Sequence, residues 1–262
     1  TSDAARHIAA VVDRAVEQLP KNPRGAASLS SYTSALISTL QRTGKAKEAA
    51  AKLDEVLAAL DKANDGSIPA VAQGYSSLIY NKAMMIRTEK PDDAFDLVTS
   101  EVGKAKTAFD AKSDDAATLQ WYASTRYSQM VVASSASPDN FKKLRDDHLE
   151  FVTDQAGQKD AAVVAAQAAQ KTATDVKTAA DKALVEANKG TDDAVKKIAQ
   201  AAATKAAKEL TAATQATQNA EAARFVVINV FTSAQYYGIA TMVSEDVDRA
   251  EKLLASATEL LD

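Results

Sequence analysis

The chain contains only two imidazoles, His7 and His148, and no cysteine. Disulfides, thiolate catalysis and Cys-based zinc sites are therefore excluded. The two histidines form no HExxH pair of the metalloprotease type. The densest run of possible metal ligands is Asp146-Asp147-His148-Leu149-Glu150. Successive residues on a helix point about 100° apart, so these side chains fan out instead of converging on one ion. Asp pairs recur at 92–93, 114–115 and 192–193. Each stands at an expected helix start, where carboxylates accept backbone N–H bonds and complement the helix dipole, so capping is the expected role. GxSxG, Walker A and GxGxxG motifs are missing, and serines such as Ser134 and Ser135 have no neighbouring context for activation. The expectation is a protein that is not an enzyme, with no metal and no cofactor.

What remains is the chemistry of contact. Tyr32, Tyr75, Tyr80, Trp121, Tyr122, Tyr127, Tyr236 and Tyr237 fall on or beside the first helices of successive helix pairs, whereas Phe95, Phe109 and Phe141 fall on the second helices. Tyr and Trp combine contact area with a hydrogen-bonding group, which suits a binding surface. Asn81, Lys82, Arg126, Gln129, Asn229 and Gln235 are the polar companions. The residues expected to touch a ligand or partner are Tyr80, Asn81, Trp121, Tyr122, Arg126, Tyr127 and Tyr236. The competing reading is that these rings fill the inter-helix core of a chain poor in other large side chains. Both readings stand at the level of sequence.

Composition narrows the partner. Charged residues are 25% of the 262 positions and the net charge is −4, which leaves no basic footprint for nucleic acid. No apolar run reaches the roughly 18 residues of a membrane span. These features describe a soluble chain. It starts Thr1-Ser2-Asp3-Ala4, a helix cap without Met, so a cytoplasmic location and export after signal cleavage both remain open.

The elements that must position these residues all read as helices. The five prolines (Pro20, Pro23, Pro69, Pro91, Pro138) lie between periodic runs or at first turns, and strand-like alternation is missing. Helices are expected near 3–19, 27–43, 46–63, 69–88, 91–110, 115–135, 138–155, 158–188, 192–221, 222–243 and 245–261.

Four segments mark a repeat: Gly44-Lys45-Ala46-Lys47-Glu48-Ala49, Lys90-Pro91-Asp92-Asp93-Ala94-Phe95, Ser137-Pro138-Asp139-Asn140-Phe141 and Glu245-Asp246-Val247-Asp248-Arg249-Ala250. Each follows an aromatic-bearing run and opens a more charged one. Ala49 to Ala94 is 45 residues, Ala94 to Phe141 is 47, and Phe141 to Ala250 is 109, room for one more period plus an insertion. Stacked helical hairpins have this signature. Asp13-Arg14-Ala15-Val16-Glu17-Gln18-Leu19-Pro20-Lys21-Asn22-Pro23 resembles the end of the second helix of a tetratricopeptide repeat. Leu36, Leu40, Gly44, Ala49 and Leu53 resemble that repeat's spacing, as do Tyr237-Gly238, Ala250, Leu254 and Ala257. The family period is about 34 residues, against 45–47 here. The resemblance implies an α-solenoid over 1–155 and 222–262 whose first helices line a groove for peptides or other proteins.

Residues 156–221 form the expected insertion. Between Phe151 and Phe225 there is neither an aromatic residue nor a proline. One small-residue stripe runs Ala162, Ala165, Ala169, Ala173, Val176, Ala180, Ala183, Ala187; a second runs Val195, Ile198, Ala202, Ala206, Leu210, Ala213, Ala216, Ala220. Steps of three and four are close to a heptad seam. Asn188-Lys189-Gly190-Thr191-Asp192 supplies a stop and a new cap, so an antiparallel hairpin with a close interface is expected. It projects towards a partner or a second copy, folds back, or serves as a spacer. The sequence therefore predicts an all-α fold, an α-solenoid of tetratricopeptide-like helix pairs with an inserted Ala-rich antiparallel hairpin. Its expected role is a scaffold that binds a peptide or protein through the first-helix face. Two alternatives stand beside it: a small-molecule pocket lined by aromatics, and assembly of copies through the hairpin.

Overall fold

A computed structural model describes residues 2–64, 68–243 and 246–261. Thr1 of the expected cap and Glu245 of the fourth repeated segment lie outside these described residues. So do the side chains of Gln235 and Ala257. Every regular element among the described residues is helical: α1 (Ser2–Gln18), a 3-10 turn (Pro23–Gly25), α2 (Ala26–Arg42), α3 (Ala46–Ala63), α4 (Pro69–Ile86), α5 (Pro91–Ala111), α6 (Ala116–Ala136), α7 (Pro138–Lys189), α8 (Asp193–Met242) and α9 (Val247–Leu261). The protein is all-α. Among the described residues no helix is long and apolar enough to cross a membrane.

Local chemistry explains the starts and stops. Pro69, Pro91 and Pro138 open α4, α5 and α7, where the missing N–H costs nothing. The Asp115 carboxylate accepts from the Ala117 and Thr118 amides (2.7 and 3.2 Å), and Asp192 does the same for Ala194 and Val195 (2.8 and 3.2 Å). Asp92 and Asp93 make no such cap bond. They sit inside the first turn of α5, where the helix dipole favours them and Asp93 also pairs with Lys90 at 3.8 Å. At the end of α2, Gly44 has φ +77°, with Lys45 N–H donating to Leu40 O (2.9 Å) and Gly44 N–H to Gln41 O (3.0 Å). This is a Schellman stop, a backbone conformation that glycine adopts without strain.

The chain divides into two compact units, Thr1–Glu150 and Phe151–Asp262. In the first, Leu29, Leu36, Leu53, Leu60 and Leu78 are fully buried in a core shared by α1 to α4. Its successive even-numbered helices run parallel and bond at a nearly constant offset. Asn81 of α4 donates to Ser34 of α2, 47 residues back (2.7 Å). Gln73 of α4 donates to the Ala117 carbonyl of α6 across 44 residues (2.8 Å), and Trp121 of α6 donates to Ser76 of α4 across 45 (2.9 Å). These separations of 44 to 47 residues are close to the 45–47-residue spacing of the first three marked segments. Close approach of α4 to α2 depends on Gly74, where a Cβ would meet the Ala26 carbonyl oxygen at 3.0 Å.

The second unit differs from the expected hairpin in its boundaries and in its register. The anticipated helices 138–155 and 158–188 are one helix, α7, and 192–221 and 222–243 are one helix, α8. Gly157 is the only residue between the first two that suggests a break, and a lone glycine costs only about 1 kcal/mol in a helix interior. Nothing at 221–222 interrupts the second pair. Residues 222–242 therefore prolong the α8 arm and fall in the unit Phe151–Asp262.

The arms are antiparallel, tied by Gln167 to Glu221 (3.3 Å), Gln170 to Thr214 (3.2 Å) and the Arg224–Asp160 ion pair. Ala166, Gln170, Ala173, Lys177, Ala180, Leu184 and Ala187 are among the less exposed positions of α7; Lys196, Ala199, Ala203, Ala206, Leu210, Ala213 and Thr217 are among those of α8. Both sets keep strict steps of three and four. The anticipated stripes share Ala173, Ala180, Ala187, Ala206, Leu210 and Ala213 with this seam, but Val176, Val195 and Ile198 stand exposed. An alanine-rich helix offers several nearly equivalent faces, and ties such as Asp160–Arg224 choose among them.

Candidate functional site

A groove opens between α4 and α6 in the first unit, with a volume of about 200 Å³. From α4 it is lined by Gln73, Ser76, Ser77 and Tyr80, and from α6 by Gln120, Trp121, Ser124, Thr125 and Ser128. Spacings of three and four carry these residues along one side of each helix. None of these nine side chains is charged.

Its floor is a hydrogen-bond chain. Trp121, 8% exposed, donates its indole N–H to Ser76 Oγ (2.9 Å), and Ser76 donates to Glu101 Oε2 (2.6 Å). Glu101, on α5, is only 4% exposed, and its other oxygen accepts from Lys104 Nζ (2.7 Å). A buried carboxylate is costly unless it is paired and hydrogen-bonded, and Glu101 meets both conditions. Burial pulls the Lys104 ammonium down, but the hydrogen bond and charge of Glu101 outweigh it and hold its pKa above the ordinary lysine value. Lys104 also lies 5.3 Å from the centre of the Tyr75 ring. Burial pushes the Tyr75 phenol upward.

Of the seven residues expected to form a site, Tyr80 and Trp121 meet in this groove. Asn81 leaves it, since its amide is bound to Ser34. Tyr122 belongs to the core: it is buried and stacked on Phe109 with ring centres 5.3 Å apart and planes at 25°. Its position one residue after Trp121 turns it by about 100°, away from α4. Arg126 follows Tyr122 by one turn and donates to the Tyr122 hydroxyl (3.0 Å) and to the Asp147 carbonyl (2.5 Å), tying α6 to α7. Tyr127 is half-buried, its ring 6.2 Å from that of His148. Tyr236 lies in the second unit and is 79% exposed. Phe225 and Val243, 11 residues before and 7 after it, are also exposed and fall on the same side of α8.

Comparison with family models, curated proteins and solved structures gives no match for this chain.

The groove's own chemistry therefore carries the functional reading. Sequence reasoning missed Gln73, Ser76, Ser77, Gln120, Ser124, Thr125, Ser128 and Glu101. One signal was available: Ser76 precedes Trp121 by 45 residues, the separation of the first two repeated segments. Among the expected companions, Lys82 pairs with Asp54 (2.8 Å), Gln129 donates to Thr99 (2.9 Å) and Asn229 to the Phe225 carbonyl (3.1 Å). Asp146, Asp147, His148 and Glu150 do not converge. Among the described residues no group of three or more His, Cys, Asp or Glu is placed to hold a metal ion. His148 is instead buried, 1% exposed, with neither ring nitrogen hydrogen-bonded. Burial, aided by the Arg126 charge, lowers its pKa to about 3.

Proposed function

We propose that the protein is a non-enzymatic interaction module, a tetratricopeptide-like α-solenoid over its first unit, that binds a peptide segment of a partner in the α4–α6 groove. The observation that carries this reading is the groove itself: half-open, uncharged, lined by hydroxyls and amides at every turn, with Tyr80 and Trp121 in its wall. Side chains of this kind satisfy the N–H and C=O groups of an extended main chain, and a semi-open trough admits a chain that continues past it. Its volume of about 200 Å³ is below the roughly 300–1,000 Å³ typical of small-molecule pockets, which favours a peptide over an enclosed ligand. Selection from a random displayed peptide library tests the idea. Binders recovered on the protein should shift Trp121 fluorescence and be lost in Tyr80→Ala, with the variant still folded by circular dichroism. A folded protein that recovers no binder would defeat the proposal.

A second reading, assembly through the hairpin, is supported by one observation: Val164, Val185 and Ile198 are 67%, 56% and 71% exposed on the arms. Exposed apolar side chains lose contact with water when copies associate, which favours association. Sedimentation velocity of the wild type against a Val164→Lys, Ile198→Lys variant tests it; a monomer in both would end this reading.

A further inference from the structure

The groove's hydrogen-bond inventory narrows the peptide, given the peptide-binding reading above. Carbonyl and carboxylate oxygens only accept, so any hydroxyl bonded to one must be donating. Ser76 gives its proton to Glu101, Thr125 to the Trp121 and Tyr122 carbonyls (3.1 and 2.9 Å), and Ser128 to the Ser124 carbonyl (2.9 Å). Gln73 gives one amide N–H to the Ala117 carbonyl. What these four side chains retain is mostly acceptor capacity. Donors come chiefly from the exposed Gln120, Ser77 and Ser124 at the rim.

Such a groove asks for a ligand richer in N–H donors than in acceptors, with at least one acceptor to meet the rim. Charge decides which donor. No carboxylate lines the groove, and Glu101 beneath it is capped by Ser76 and paired with Lys104, so an ammonium or guanidinium entering here would lose water without gaining a counter-charge. A carboxylate would face acceptors. An aliphatic side chain would leave the hydroxyls unmatched. A primary carboxamide has two N–H donors and one C=O acceptor and carries no charge. We infer that the α4–α6 groove selects peptides that place an Asn or Gln side chain in it.

The test uses displayed nine-residue peptide libraries, random except for a fixed central Asn, Gln, Asp, Lys or Leu, panned against the full chain. Asn- and Gln-centred pools should be enriched about tenfold over the others, the order of one matched hydrogen-bond set. Thr125→Val plus Ser128→Ala removes two acceptors with little change of shape and should erase that preference while circular dichroism and melting stay as in the wild type. Selection of peptides with charged or aliphatic centres would overturn this inference and leave the peptide-binding proposal standing. Preference for Asn and Gln that survives the double substitution would also overturn it, because recognition would then lie elsewhere. Failure to select any pool would overturn both.

Discussion

The two units use different materials to solve the same problem of holding helices together. The first buries leucines: Leu29, Leu36, Leu53 and Leu60 are each at most 1% exposed, and every pair of neighbouring helices from α1 to α6 is in contact. The second joins its long arms along alanine, threonine and glutamine, with Ala203, Ala206 and Thr217 as its deeper seam positions. Leucine buries far more apolar area than alanine at about 25 cal/mol per Å². The first unit therefore has stability to spare for a polar groove with a buried carboxylate beneath it. The hairpin gains its order mainly from helix propensity and has no comparable reserve.

The sharpest way to break this comparison is to remove a buried leucine. Leu53→Ala in the first unit should cost about 2–5 kcal/mol in urea unfolding. Ala206→Gly in the hairpin seam should cost only about 1 kcal/mol. Equal costs would mean that the seam is a true core. A second test uses His148. Its pKa is lowered to about 3 in the fold and returns to the ordinary 6.5 on unfolding. The unfolded chain therefore takes up a proton that the fold refuses. The stability from the neutral ring is fully present above pH 6.5 and is lost progressively as pH falls from 6.5 towards 3. At pH 5 the loss is about 2 kcal/mol relative to pH 7. His148→Leu should remove this component, measured as the difference between the two proteins' urea midpoints across pH. A pH profile identical to the wild type would show that His148 is not buried as described.

Smaller effects sharpen the picture. Glu101→Gln keeps an acceptor for Ser76 but removes the ion pair with Lys104. Thermal melts should show a loss of about 1–3 kcal/mol, because a buried charged hydrogen bond is weakened. No change would place the pair outside the scaffold of the groove. Smallest is the capping pair. Asp115→Ala and Asp192→Ala should each lose about 1 kcal/mol of helix stability. In hydrogen exchange the Asp192 variant should loosen only the start of α8, while the Asp115 variant loosens the groove wall.

How much was legible follows from the kind of signal each feature leaves. Helix ends were readable at Pro69, Pro91, Pro138, Gly44, Asp115 and Asp192, because a missing N–H, a positive φ or a capping carboxylate acts within a few residues of itself. The spacing of the marked segments, 45 and 47 residues, lies close to the 44 to 47 residues that separate the bonded partners of α2, α4 and α6. Continuity of α7 through Gly157 and of α8 through 221–222 was not, since the absence of a strong breaker is a weaker signal than its presence. The lining of the α4–α6 groove was legible only in part. Tyr80 and Trp121 were singled out by residue type. Tyr122 and Arg126 were grouped with them for the same reason, although one helical step turns them to Phe109 and Asp147.

By itself, then, the sequence determined an all-α fold, the positions where most helices begin and a change of material after Phe151, all consequences of local propensity and periodicity. Only the tertiary structure decided which face of each helix meets its neighbour. That choice put Trp121 over Ser76, buried Glu101 beneath them, left His148 without a hydrogen bond and shifted the hairpin seam away from Val176, Val195 and Ile198. The reason is that packing is settled between segments far apart in the chain, by contacts and ion pairs that no single helix encodes.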